Sequence, residues 1–349
     1  MSGSAASRLR AWAIQRATPF SWRQAVICAP AIPLLIAAGA ALGQPVFGAV
    51  AAGAAFSVGF GASRTLGGRR WGAMAAAAAG VTLACFLGCF LGQWPAAFLA
   101  AAAVAAAACA ALALYDEDLW WVTLQIVIAL LVGGYYPSGA VAALQRAAAV
   151  FAGGGVEILS VMILTRLVPG PAAWTLPGPP KPPPPRPLLI GHSARAAVCV
   201  VAALLAARAL NLSNSYWAPM TVMLVLKPGL SETQNRGVAR LMGTLLGCAA
   251  ASLYVLAGGD AAAAVMAGMA VTAGLAYGLQ KAHYAMLSGA ITATVVLLLT
   301  LGRGDVILNA EHRLAATVVG GLIALIVARI APHRPLAAPG AEDRSGAGA

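Results

Sequence analysis

From Gln24 to Ile330 the chain is a succession of apolar runs, separated by short breaks rich in polar, glycine or proline residues. No other feature limits its fold as tightly. About 20 apolar residues suffice to cross the hydrocarbon core as a helix, and a helix satisfies all its own backbone polar groups in lipid. The runs fall at 24–42, 46–62, 72–91, 96–115, 119–136 and 140–167, then at 190–210, 216–230, 238–257, 261–279, 284–301 and 311–330. Of the 349 residues, 61% are hydrophobic and 9% charged, against about 25% charged in soluble domains. The expected fold is an all-α membrane protein of about twelve transmembrane helices.

Between the two sets of runs lies Pro169–Pro187, "PGPAAWTLPGPPKPPPPRP". Proline lacks the amide hydrogen and clashes with the preceding helical turn, so this is a polyproline-type linker. The expected organisation is a cytoplasmic N-terminal segment (1–23), a six-helix half (24–168), a Pro-rich linker (169–189), a second six-helix half (190–331) and a disordered cytoplasmic tail (332–349). The run after the basic N-terminus is long for a signal-peptide core and reads as a first span.

The formal net charge is +12, which in a soluble protein would suggest nucleic acid. Here the cations sit in alternate short gaps: Arg64, Arg69 and Arg70, then Lys181 and Arg186, then Lys227, Arg236 and Arg240, then Lys281 and Arg334. The intervening gaps "GQP", "GQWP", "NLSNS", "AGGD" and "GRGD" carry little positive charge beyond Arg303. By the positive-inside rule both termini and the linker face the cytoplasm, and no nucleic-acid partner is expected.

The halves read as repeats. Arg23 and Arg195 open the first and seventh runs, and Arg70 and Arg240 mark the third and ninth. Arg146 in "QRAAAVFAGG" matches Arg313 in "HRLAATVVGG". An even number of spans per half gives a parallel duplication, as transporters use around a central site.

No enzymatic motif is present: no phosphate-cradling G-x-x-x-x-G-K-[ST], no H-E-x-x-H, no nucleophile elbow. The six cysteines lie inside apolar runs and read as small hydrophobes rather than a metal site or disulfide frame. Neither enzymatic activity, cofactor nor metal is expected.

Two runs are interrupted at matching places: the second by Gly53, Gly59 and Gly61, the eighth by Pro219 and Lys227-Pro228. Broken spans in corresponding positions mark a solute site, because freed backbone groups must meet protein or a water-filled cavity. The competing reading is a simple kink and close helix packing. Tyr216 and Trp217 are candidates for an aromatic surface, or for interfacial anchors. Thr221 offers a hydroxyl one turn further in. Lys227, Arg236 and Arg240, with Arg64 and Arg70 from the first half, are candidates for a positive vestibule, or for ordinary inside charge. Glu157 lies deep in the sixth run, where an ionisable group is costly, and is the proton-coupling candidate. Its alternative role is a structural pair with Arg208 or Arg313.

Tyr216-Trp217, Thr221, Lys227-Pro228, Arg236, Arg240, Gly243-Thr244 and Gly247, with "HYAMLSGAITATVVLLL", "EHRLAATVVGG" and Arg195, resemble the fusaric acid resistance, or aromatic acid exporter, family over roughly 190–330. The resemblance implies a bacterial inner-membrane transporter that exports aromatic or other weak organic acids. Some relatives work with a periplasmic adaptor protein, and larger ones have sizeable cytoplasmic domains; the short linker and tail here argue against an adaptor. The leading expectation is therefore a proton-coupled exporter of small organic anions, embedded in the bilayer and able to form homo-oligomers. The alternatives are a passive anion channel and a non-transporting membrane scaffold.

Overall fold

The computed structural model describes residues 20–170, 182–302 and 305–331. The expectations for the N-terminal segment, the Pro-rich stretch and the tail fall largely or wholly outside these residues. The described residues form helices and no strand. They are α1 (Trp22–Cys28), α2 (Ala31–Ala41), α3 (Pro45–Gly59, continued by a 3-10 turn to Ser63), α4 (Gly72–Leu91), α5 (Pro95–Leu112), α6 (Glu117–Tyr135) and α7 (Ala140–Leu167) before the linker. After it come α8 (Arg186–Ala209), α9 (Trp217–Val225), α10 (Leu230–Leu256), α11 (Ala262–Gly278), α12 (Tyr284–Thr300) and α13 (Val306–Ile330). Pro45 and Pro95 start their helices where the missing N–H has no intrahelical partner to lose. Asp116 and Asp305 cap α6 and α13, accepting from the backbone N–H of Leu119 at 2.7 Å and of Ile307 at 2.8 Å.

Among the described residues, nine helical segments are long and apolar enough to cross a membrane, counting α1 with α2 as one. The helices α11 and α12 are apolar but shorter. The remaining one, α9, has nine residues, about 14 Å at helical rise, and cannot cross alone.

Two local expectations change. Gly53 does not break the second span, since an isolated glycine weakens a helix without ending it, but the α-helix does end at Gly59, and Gly61 lies in the 3-10 turn Phe60–Ser63 that follows. Pro219 does not interrupt the eighth span either. It sits in the first turn of α9, where no intrahelical bond is lost, and the helix ends instead at Val225, before Lys227-Pro228.

Small residues set how the helices cross, as expected without a hydrophobic drive between helices in lipid. Helix α7 packs on α3, and α13 on α9. A Cβ at Gly153 would strike the backbone of Ala51, and one at Gly320 the carbonyl of Ala218 and the side chain of Thr221. Helix α4 lies on α6, and α10 on α12, with Gly88 against the carbonyl of Leu130 and Gly247 against that of Gly289. Arginines tie helix ends together. Arg23 donates to the carbonyls of Thr165 and Val168, each at 3.1 Å, where α7 ends. Arg195 donates to Ala331 beyond α13 and to Pro228, each at 3.2 Å.

The two halves share their cores. One buried cluster joins Cys28, Val58 and Met74 to Met269, Tyr277 and Leu297. The other joins Phe98, Cys109 and Leu131 to Cys199, Trp217 and Ala324. Helix α5 packs on α8, and α11 on α1, so the linker joins two interlocked sets of helices.

Candidate functional site

The short helix α9 lies between two cavities. At its start, an open cavity of about 420 Å³ is lined by residues including Phe98, Leu131, Tyr135, Arg208, Asn211 and Tyr216. Tyr135 and Tyr216 meet edge to face at 5.4 Å between centroids, and the Arg208 guanidinium lies 5.9 Å from the Phe98 ring. The turn that leads into α9 carries Asn211 and Asn214, both with positive φ, a region asparagine tolerates better than most residues. The N–H of Ser213 donates to His312 Nδ1 at 3.1 Å, fastening this turn to α13. At the other end of α9, a smaller cavity of about 60 Å³ is lined by Trp120, His192, Met223, Leu226, Lys227 and Pro228, among others.

Lys227 belongs to the non-helical turn between α9 and α10. Its ammonium lies 4.7 Å from the centre of the Trp120 ring, and its backbone N–H donates to the Thr233 hydroxyl at 3.0 Å. Burial, then the neighbouring Arg236, push its amine down to about 8. Arg236 stacks over Tyr284 at 3.9 Å and donates to the carbonyl of Leu224 at 3.1 Å.

The expected positive vestibule is not assembled as one surface. Arg64 pairs with Asp118 at 2.9 Å and lies 3.7 Å from Glu117. Arg70 rests on the Trp71 ring at 4.4 Å. Arg240 is buried inside the second half, with Nη1 donating to Ser288 Oγ at 3.2 Å. Arg64, Arg70 and Arg240 thus each have a local partner away from Lys227 and Arg236, which stay neighbours at the α9–α10 turn.

Trp217 is 1% exposed, which excludes an interfacial anchor, and Thr221 is wholly buried. The Thr221 hydroxyl donates to the carbonyl of Trp217 at 2.9 Å, within its own helix. Above the Trp217 ring, at 4.7 Å, sits the guanidinium of Arg313 from α13, itself 1% exposed. As a site residue Arg313 escaped the sequence reading, which used it only as a repeat marker and a possible partner for Glu157. The signal was available: an arginine inside an apolar run is costly.

Glu157 is wholly buried, and neither carboxyl oxygen has a hydrogen-bond partner. It lies near Tyr277: a Cβ added at Gly59 would strike both the Tyr277 hydroxyl and Glu157 Oε1. Tyr277 donates to the carbonyl of Phe56 at 3.0 Å, and Cys28 lies nearby. The structural pair with Arg208 or Arg313 is not formed: Arg208 sits by Phe98 and Arg313 over Trp217. Among the described residues no His, Cys, Asp or Glu cluster is arranged to hold a metal.

Long apolar helices, small-residue crossings and ionisable groups held inside them define a polytopic membrane protein. Residues 201–327 match the model of the family described as fusaric acid resistance protein-like, the family that the Tyr216–Gly247 stretch resembles. No curated protein and no solved structure matches the chain.

Proposed function

We propose that this protein exports small weak organic acids, aromatic acids among them, across a bacterial inner membrane. Its termini and linker lie in the cytoplasm, and Glu157 couples export to protons. The observation that carries the reading is α9, a helix too short to span, with a cavity at each end. A solute path would run alongside this element, with a movement of α9 joining the two cavities. Arg208 and the tyrosines face the larger cavity and Lys227 the smaller, so each mouth offers a cation and an aromatic ring to an aryl carboxylate. The match of 201–327 to a family described by resistance to fusaric acid, an organic acid, favours the same class. Glu157 supplies an ionisable group with no ion-pair partner, the kind of residue that proton relays use.

The helices are read as two parallel six-element repeats. Three correspondences favour this. Arg23 and Arg195 bind carbonyls at the ends of α7 and α13 respectively. A Cβ at Gly153 would strike Ala51 as one at Gly320 would strike Ala218. Gly88 and Gly247 each meet a carbonyl of the partner helix. The repeats differ in their buried charge: the position matching Glu157 is Ala324, and Arg146, which matches Arg313, lies 4.3 Å from the Tyr136 ring.

A deletion strain exposed to a panel of aromatic and aliphatic weak acids tests the reading. Greater sensitivity and greater intracellular accumulation of some acids, both restored by the intact gene, are expected. Equal accumulation across the panel would contradict the proposal.

A further inference from the structure

Two guanidiniums are buried together in the second half. Arg240 projects from α10 and Arg313 from α13, each 1% exposed. One turn along both helices, Thr317 and Thr244 place their hydroxyl oxygens 3.5 Å apart, and Cys248 has both arginines as neighbours. Arg240 uses Nη1 on Ser288, while its Nε and Nη2 have no hydrogen-bond partner. Arg313 lies over Trp217, and its Nε and Nη1 have none. The buried Tyr284 hydroxyl and Thr292 Oγ1 are likewise unpartnered. The ionisable neighbours of Arg313 are Arg240, Tyr216, Cys248 and Tyr284, with no carboxylate among them.

Two like charges buried side by side, with donors unspent and no acid to balance them, are unfavourable unless an anion completes the set. A guanidinium presents paired N–H donors that fit the two oxygens of a carboxylate. We propose that Arg240 and Arg313 form an anion-binding site for an organic carboxylate, with the Tyr284 hydroxyl, beside Arg313, as a further donor. Helix α9, which covers Arg313 through Trp217, is the element that yields to admit the ligand. This deepens the transporter reading, and its physiological meaning rests on that reading; the binding is measured without transport.

The test uses the full chain in detergent, in a low-salt Hepes buffer without sulfate, phosphate or added halide, with benzoate, acetate or chloride added separately. Because a ligand that binds the folded form raises stability, benzoate and acetate are expected to raise the unfolding temperature in a saturable way. R313Q and R240Q are expected to weaken that response at least tenfold, and R64Q to leave it unchanged. Each Gln variant removes a buried charge that no carboxylate balances, at the loss of the Ser288 hydrogen bond in R240Q or the Trp217 ring contact in R313Q, so the ligand-free protein should unfold at a similar temperature. If a Gln variant does not fold, R313K serves instead: it keeps the charge, loses the fork and should still bind several-fold more weakly. Equal responses in wild type and R313K or R313Q would overturn the site, as would no response to any anion. Stabilisation by chloride as strong as by benzoate would overturn its assignment to carboxylates. Binding without flux in vesicles would defeat the transporter reading and leave the site standing. Flux retained in R313Q would defeat the site's part in transport and leave the transporter reading.

Discussion

Substitution of Gly320 by alanine tests the crossing that holds α9 in place. The new Cβ would land on the carbonyl oxygen of Ala218 and 2.9 Å from Thr221 Cβ. Ordinary carbon contacts lie at about 3.5–4.0 Å, so α9 and α13 must part by roughly 1 Å. Overpacking of this kind costs about 1–3 kcal/mol. Gly321, the next residue, has nothing within 4 Å of its virtual Cβ. Alanine improves helix propensity at both sites by about 0.5–1 kcal/mol, so that gain cancels in the comparison. The difference between G320A and G321A therefore isolates the steric cost, and G320A should be about 1–3 kcal/mol the less stable. Detergent unfolding followed by tryptophan fluorescence measures it, with Trp217 on the displaced helix. The Gly153→Ala and Gly155→Ala pair should repeat the contrast at the α3–α7 crossing, since Gly153 meets Ala51 and Gly155 meets nothing. Equal stability of G320A and G321A would refute the argument that this glycine sets the approach of α9.

Asp118→Ala removes the 2.9 Å contact to Arg64 and the acceptor for the buried Thr65 N–H at 3.2 Å; a loss of about 1–2 kcal/mol is expected in thermal unfolding, whereas Glu117→Ala, at an exposed and longer contact, should change little. The Lys227 amine, held at about 8 by burial and then by Arg236, carries its charge below that pH and loses it above. The depressed value means that the charged form penalises the fold, so wild type should gain stability between about pH 8 and the ordinary lysine value of 10.5. Transport that depends on this charge should fall from pH 7 to 9 in wild type and hold steady in Lys227→Arg; identical profiles would remove Lys227 from the path.

Most span positions were legible because lipid requires long apolar helices, but nine of the twelve expected spans are long enough among the described residues: the run at 216–230 holds only the short α9, and α10 begins at Leu230, ahead of the run expected from 238. Local breaks were less so. Pro219 reads as an interruption in a linear scan, but its effect depends on where the helix starts, and α9 starts two residues before it. Gly53 suggested a broken helix, whereas α3 continues through it and changes to a 3-10 turn only after Gly59. Site residues divided by the range of their interactions. Glu157 stood out because its cost depends on depth alone. The fate of the cations depended on which aromatic ring lay nearest in space: Trp120 for Lys227, Tyr284 for Arg236 and Trp217 for Arg313. These pairs join distant parts of the chain, and no spacing rule encodes them. The cavities at the two ends of α9 also depend on how α5, α6 and α8 surround it, which one-dimensional patterning does not carry.

Flux through the purified protein tests the central claim most directly. Liposomes loaded with labelled benzoate at neutral pH are placed in a more acidic buffer, and initial efflux is compared with protein-free vesicles and with Glu157→Gln. The account predicts protein-dependent efflux that accelerates with the proton gradient, is lost in the Glu157→Gln protein although that variant inserts normally, and is accompanied by no unitary currents. Efflux equal to that of protein-free vesicles would contradict a transporter of such acids. Gradient-driven efflux undiminished in Glu157→Gln would contradict proton coupling through that residue.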